Sequence, residues 1–212
     1  MRADELVKNA TQLLAMRYGR GDPIEEVDES VDQLASLLSL KQTELKTAKV
    51  PKDVLLMYSR LDLGSLYDSL AALSFMVALR WPAERVRSAL DDIGHEREDA
   101  LLDAVRLTFG RTNDGSPALR SRFPKIYDGL TELAAVPTQD RPPKLAAFVN
   151  GWYKKMRPVY WHDSHKGGEG AYFGYWCFEA ALTAMLLDID DSSLASHPHY
   201  PGDLVKHFRS KQ

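Results

Sequence analysis

The sequence holds a single cysteine, Cys177, in 212 residues, so no disulfide framework can brace it, and a reducing compartment fits. It has no apolar run of about 18 residues, the length at which a helix begins to span a bilayer. Its opening residues, Met1 to Ala10, alternate charges with apolar side chains where a signal peptide would need an apolar centre. These features point to a cytoplasmic protein without a membrane partner. Excess positive charge is missing too: a net charge of -3 and a pI near 6.1 argue against direct nucleic-acid binding through bulk charge and make a basic partner the easier fit. Strand alternation, internal repeats and low-complexity tracts are equally absent. What is present is a chain with 44% hydrophobic residues, enough for one large core or two apposed ones.

The patterning predicts an all-α fold. Residues 4–17 place Leu6, Leu13, Leu14 and Met16 on one side of a first helix, which Gly19 to Pro23 ends. From Ile24 to Lys49, Val27, Val31, Leu34, Leu38 and Leu45 recur at helical spacing behind an Asp22-Pro23 start signal with acids in the first turn. A short segment from Val54 to Tyr58, a mostly buried helix from Leu66 to Trp81, and helices over 83–93 and 95–109 follow. The Gly, Asn, Asp, Ser and Pro content between Gly110 and Pro124 marks a boundary between an N-terminal half, 1–115, and a C-terminal half, 116–212, within one continuous unit. Short helices are expected over 126–135 and 144–156. The chain is then organised around residues 170–187, read as one helix apolar on every side and buried by its neighbours, so that the whole forms a compact multi-helix bundle. At helical spacing Tyr172, Trp176, Glu179 and Thr183 share a stripe on it.

Several groups invite a chemical reading. Trp161 to Glu169 carries His162, Asp163, His165 and Glu169 in one loop, a set that could hold a divalent metal for hydrolysis. The remaining histidines, His95, His197, His199 and His207, supply no supporting ligand pattern, so docking of the loop onto the core is the expected role, with no metal and no cofactor. Gly167-Gly168 lacks the rest of a phosphate loop and its preceding strand. Cys177, between Trp176 and Phe178, reads as an inert core thiol. Glu179, a carboxylate on an apolar helix, must be neutral, paired or hydrogen-bonded; Arg157, His165 and Lys166 are its nearest cations in sequence. The 95–109 helix carries the acids Glu96, Glu98, Asp99 and Asp103, with Glu96, Asp99 and Asp103 read as its outer face and Asp91 and Asp92 just before it. Such a row is usually only solvated, but it can also steer a basic partner or mimic the phosphates of a nucleic acid. Asp163, Glu169, Asp188, Asp190 and Asp191 form a second acidic set around residues 170–187.

Three stretches carry a resemblance: Tyr172 to Ala181 with Tyr172, Gly174, Trp176 and Glu179; Ile189 to Leu194 with Asp191; and Tyr200 to Val205 with Tyr200 and Asp203. Together they resemble the C-terminal motif of the PoNi-type immunity proteins, antidotes to PoNe-type nuclease toxins that bacteria inject into competitors. Arg17 to Pro23, Tyr67-Asp68 and Leu73-Ser74 are similar to the motif that opens the same family. Gly202 and Gly19 depart from it, standing where a second aromatic and a serine are expected. The resemblance implies an all-helical, non-catalytic cytoplasmic protein that binds a cognate nuclease toxin and stops it from cutting DNA. It assigns no binding site, so the motif residues are expected in the core. Recognition is expected from the surface acids Asp91, Asp92, Glu96, Glu98, Asp99, Asp103, Asp163, Glu169, Asp190 and Asp191. A metal-dependent hydrolase using the His162 to Glu169 loop and a helical scaffold without an enzyme partner are the competing readings. The sequence leaves homo-oligomerisation open.

Overall fold

Residues 61–81 explain the architecture best. Asp62 accepts a hydrogen bond from the Ser65 N–H at 2.8 Å and the Ser65 hydroxyl accepts from the Asp62 N–H at 3.0 Å, a capping box that sets the start of the following helix. That helix, Leu63–Ala78, is buried at every residue from Leu66 onward. An apolar helix with no wet face has to be wrapped on all sides, and the other elements of the computed structural model do the wrapping. The structure describes residues 2–110, 115–167 and 172–211.

Among the described residues there are ten α-helices and no strand. In chain order they are α1 (Arg2–Arg20), α2 (Asp28–Thr47), α3 (Lys52–Ser59), α4 (Leu63–Ala78), α5 (Ala83–Ile93), α6 (Ala100–Thr108), α7 (Pro124–Thr131), α8 (Arg141–Lys155), α9 (Phe178–Leu186) and α10 (Gly202–Ser210). Helices α1, α2, α9 and α10 pack against α4. A single cluster of buried apolar side chains runs from Val7 to Val205 and draws on both halves of the chain. No described helix is long and apolar enough to cross a membrane.

Several expected elements change extent. The helix expected over 170–187 forms only from Phe178, as α9, so the central rod is α4, with α9 packed along it. Residues 172–177 are not helical, because their backbone groups bond to distant partners. The Trp176 carbonyl accepts from the Tyr67 hydroxyl at 3.1 Å, the Tyr175 carbonyl pairs with His199 Nδ1 at 2.9 Å, and the Cys177 N–H donates to the His199 carbonyl at 2.8 Å. Gly174 sits at φ +87, a conformation that glycine alone adopts without strain. The Tyr172–Trp176–Glu179–Thr183 stripe therefore does not form.

In α1 the core face is Val7, Thr11, Leu14, Ala15 and Tyr18, while Leu13 and Met16 are 47% and 46% exposed. Helix α6 starts at Ala100 and not at His95: His95 and Arg97 have φ of 60 and 63, which ends any helix before Asp99. Sequence reasoning did not identify α10, whose nine residues are largely polar.

Candidate partner-binding surface

The expected acidic row divides when the structure is built up from its residues. Asp99 is fully buried and caps α6: its Oδ1 accepts from the N–H groups of Leu101 and Leu102 at 2.9 and 3.2 Å, and its Oδ2 accepts from the Ser121 hydroxyl and the Arg122 N–H at 2.6 and 2.8 Å. Asp103 is 1% exposed and accepts from the N–H groups of Arg97 and Ala118, with Arg106 at 3.6 Å. These two carboxylates tie the 115–122 segment to α6 and are not on an outer face. A carboxylate that replaces its hydration with several backbone N–H donors can be buried at little cost, and residue spacing does not reveal that. Asp91, Glu96 and Glu98 remain exposed and Asp92 is half-buried; burial raises the Asp92 carboxyl above its ordinary pKa.

The second acidic set divides in the same way. Asp191 is buried and accepts from the Tyr200 hydroxyl at 2.7 Å, while Arg209 bridges its other oxygen and the Ile189 carbonyl. Asp163 accepts from the Tyr153 hydroxyl at 2.8 Å and Lys166 at 3.0 Å, which hold its carboxyl below the ordinary range. Asp188 and Asp190 are exposed. Glu169 lies outside the described residues.

The imidazoles of the 161–167 loop are engaged separately. His162 stacks on Tyr153 with ring centroids 4.4 Å apart, and His165 Nδ1 lies 2.6 Å from the Tyr175 hydroxyl. Among the described residues no group of three or more His, Cys, Asp or Glu side chains could hold a metal ion.

Glu179 is interior, as expected, but its partners are not cations. Its Oε1 accepts from the Tyr127 hydroxyl at 2.7 Å and Trp152 Nε1 at 3.2 Å, whereas Oε2 is buried without a hydrogen-bond partner. Of the cations expected near it, Lys166 pairs with Asp163, His165 meets Tyr175 and Arg157 is exposed. Burial pushes its pKa up to about 7, against the pull of its own backbone N–H and of Tyr127 and Trp152. Here a buried carboxyl with no cation beside it joins α7, α8 and α9.

The motif residues do not all enter the core. Tyr172 is 58% exposed, and Trp176 is half-buried on the floor of an open groove of about 690 Å³. One wall is the end of α1 with Tyr18, Gly19 and Gly21; the other is residues 191–203 with Lys206 and Arg209 of α10. Tyr18 joins the walls. Its ring meets Trp176 edge-on at 4.8 Å, and its hydroxyl lies against the N–H groups of Asp203 and Leu204 at the start of α10. The indole is seated against two glycines: a Cβ on Gly174 would come within 2.2 Å of Nε1 and one on Gly19 within 3.4 Å. Sequence reasoning missed this groove. Its available signal was three glycines, Gly19, Gly21 and Gly174, beside aromatic residues in stretches far apart in the chain.

Residues 97–204, just over half of the chain, match the family described as PoNe immunity proteins (PoNi), C-terminal. The chain belongs to the PoNi family. The match runs from the turn before α6 into the first residues of α10, so it contains the Asp99 and Asp103 anchors, the Glu179 network and the 191–203 part of one groove wall, but not Lys206 or Arg209. The α1 wall lies outside it. No curated protein and no solved structure matches the chain.

Proposed function

We propose that this chain is a cytoplasmic immunity protein that binds a cognate nuclease toxin of the PoNe type by direct contact and keeps it from cutting DNA. The observation that carries this reading is the PoNi match over residues 97–204. The protein's charge supports it. A nuclease must present Lys and Arg to the phosphate backbone of its substrate, and a partner with net charge -3 is attracted to such a surface. Asp91 in the last turn of α5, and Glu96 and Glu98 on the turn between α5 and α6, are exposed and are the steering acids of this proposal, and Asp163 and Asp190 are secondary ones. Inhibition in this scheme needs only occupancy, so no catalytic residue is assigned.

The test is co-expression of the full chain with the nuclease toxin encoded beside its gene. Growth and intact chromosomal DNA are expected with the chain present, and a stable complex should survive gel filtration. Cell death and DNA loss at equal toxin levels with and without the chain would refute the proposal.

A further inference from the structure

We propose that the Trp176 groove is the docking slot for an extended segment of the toxin, which packs a side chain on the indole and pairs its own charges with Asp203 and Lys206. This rests on the immunity reading above and names the surface that serves it.

Four observations meet in the groove. The first is its size and openness: about 690 Å³ bounded by two walls from opposite ends of the chain, room for several residues of extended chain. The second is the floor. Trp176 is locked by Tyr18 and by the two glycines that leave space for its edge, so a partner gains a large aromatic contact without first ordering a mobile side chain. Tryptophan is among the residue types, with tyrosine and arginine, enriched at the positions that dominate binding energy.

The third is an unmet polar group: the buried Trp176 Nε1 has no acceptor. An unpartnered buried N–H costs stability, and such departures gather where a fold serves function. The fourth is the charge pattern. Asp191 and Arg209 satisfy each other, whereas Asp203 and Lys206, exposed one turn apart on α10, are engaged in no ion pair among the described residues. One free anion beside one free cation suits a segment carrying both signs. Their attractions to such a segment have opposite long-range fields that largely cancel, so groove binding should respond weakly to salt, unlike steering by an acidic row.

The experiment measures affinity of the full chain for a catalytically inactivated form of the nuclease toxin encoded beside its gene, with protection from the active toxin scored in parallel. Ala195→Trp fills the groove from an exposed position on its wall, and Ala147→Trp places the same bulk in the cleft between α7 and α8 as a control. Expected are unchanged melting temperatures for both, at least about 30-fold weaker binding and lost protection for Ala195→Trp, the scale of a lost hot spot, and wild-type behaviour for Ala147→Trp. Lys206→Glu should weaken binding about tenfold. If Ala195→Trp lowers the melting temperature, Lys206→Glu carries the test, since it alters only an exposed side chain. Wild-type affinity in both Ala195→Trp and Lys206→Glu overturns the groove assignment while leaving the immunity function standing. A wild-type chain that neither binds nor protects overturns both.

Discussion

Replacing Glu179 by glutamine should remove a specific part of the protein's pH dependence. In the folded chain the carboxyl has no cation, one oxygen is held by Tyr127 and Trp152, and the other has no partner. Its pKa rises from 4.5 to about 7 because burial penalises the charged form. Below pH 4.5 both folded and unfolded states keep the proton, and the full stabilisation is present. As pH rises toward 7 the unfolded state loses its proton while the folded state retains it, so stability falls. Above 7 both are ionised and the loss is complete. At about 1.4 kcal/mol per pH unit, the folded state should lose about 3 kcal/mol across this window. Asp68, fully buried with its pKa also raised to about 7 by burial, adds a decline of the same sign. Taking the difference between variant and wild type cancels it if the two sites act independently. Unfolding free energies from urea titrations at pH 4.5, 6, 7 and 8 measure this directly. The Glu179→Gln curve should gain about 3 kcal/mol on wild type between the lowest and highest pH, whatever constant offset the amide introduces. A difference that stays flat with pH would show that the carboxyl is solvated or charged in the fold, and the neutral-acid argument would be wrong.

Glu179→Ala should cost about 3–5 kcal/mol, because it opens a cavity and orphans the Tyr127 and Trp152 donors; urea unfolding at pH 5 measures it, and an unchanged midpoint would contradict the network. Asp99→Ala should cost about 2–4 kcal/mol by removing the α6 cap and the anchor for Ser121 and Arg122, and a stability change under 0.5 kcal/mol would place that carboxylate in solvent. Gly174→Ala should cost at least about 2 kcal/mol through its positive φ and the clash with Trp176, with a folded and fully stable variant as the contrary result. Charge reversal of Glu96 and Glu98 to Lys should slow toxin association several-fold at low salt with no change in melting temperature. An unaltered rate constant would remove that turn from the interface.

The helical class and most helix positions were legible in the sequence. Asp22-Pro23 and Pro82 mark helix starts through chemistry that acts over a few residues, and 83–93 came out as the helix α5. The error at 170–187 has a definite source. Apolar composition is shared by a buried helix and a buried extended segment, and bonds to Tyr67 and His199, more than 20 residues away in either direction, decide between them. The acidic row misled for a related reason. Whether Asp99 meets water or four donors depends on residues 121 and 122 returning to cap α6, which a helical wheel cannot contain.

By itself the sequence determined the all-α class, the interior placement of Glu179 and Cys177 and, through its motifs, the PoNi kinship. These follow from short-range periodicity and from residue types whose burial is costly or favourable wherever they occur. Tertiary structure alone decided which carboxylates are anchors and which face solvent, which donors surround Glu179, and that Tyr18 and Trp176 meet across a groove. Each of those depends on long-range closure of the chain, where the free energy of a polar or aromatic group is set by its neighbours in space and not by its neighbours in sequence.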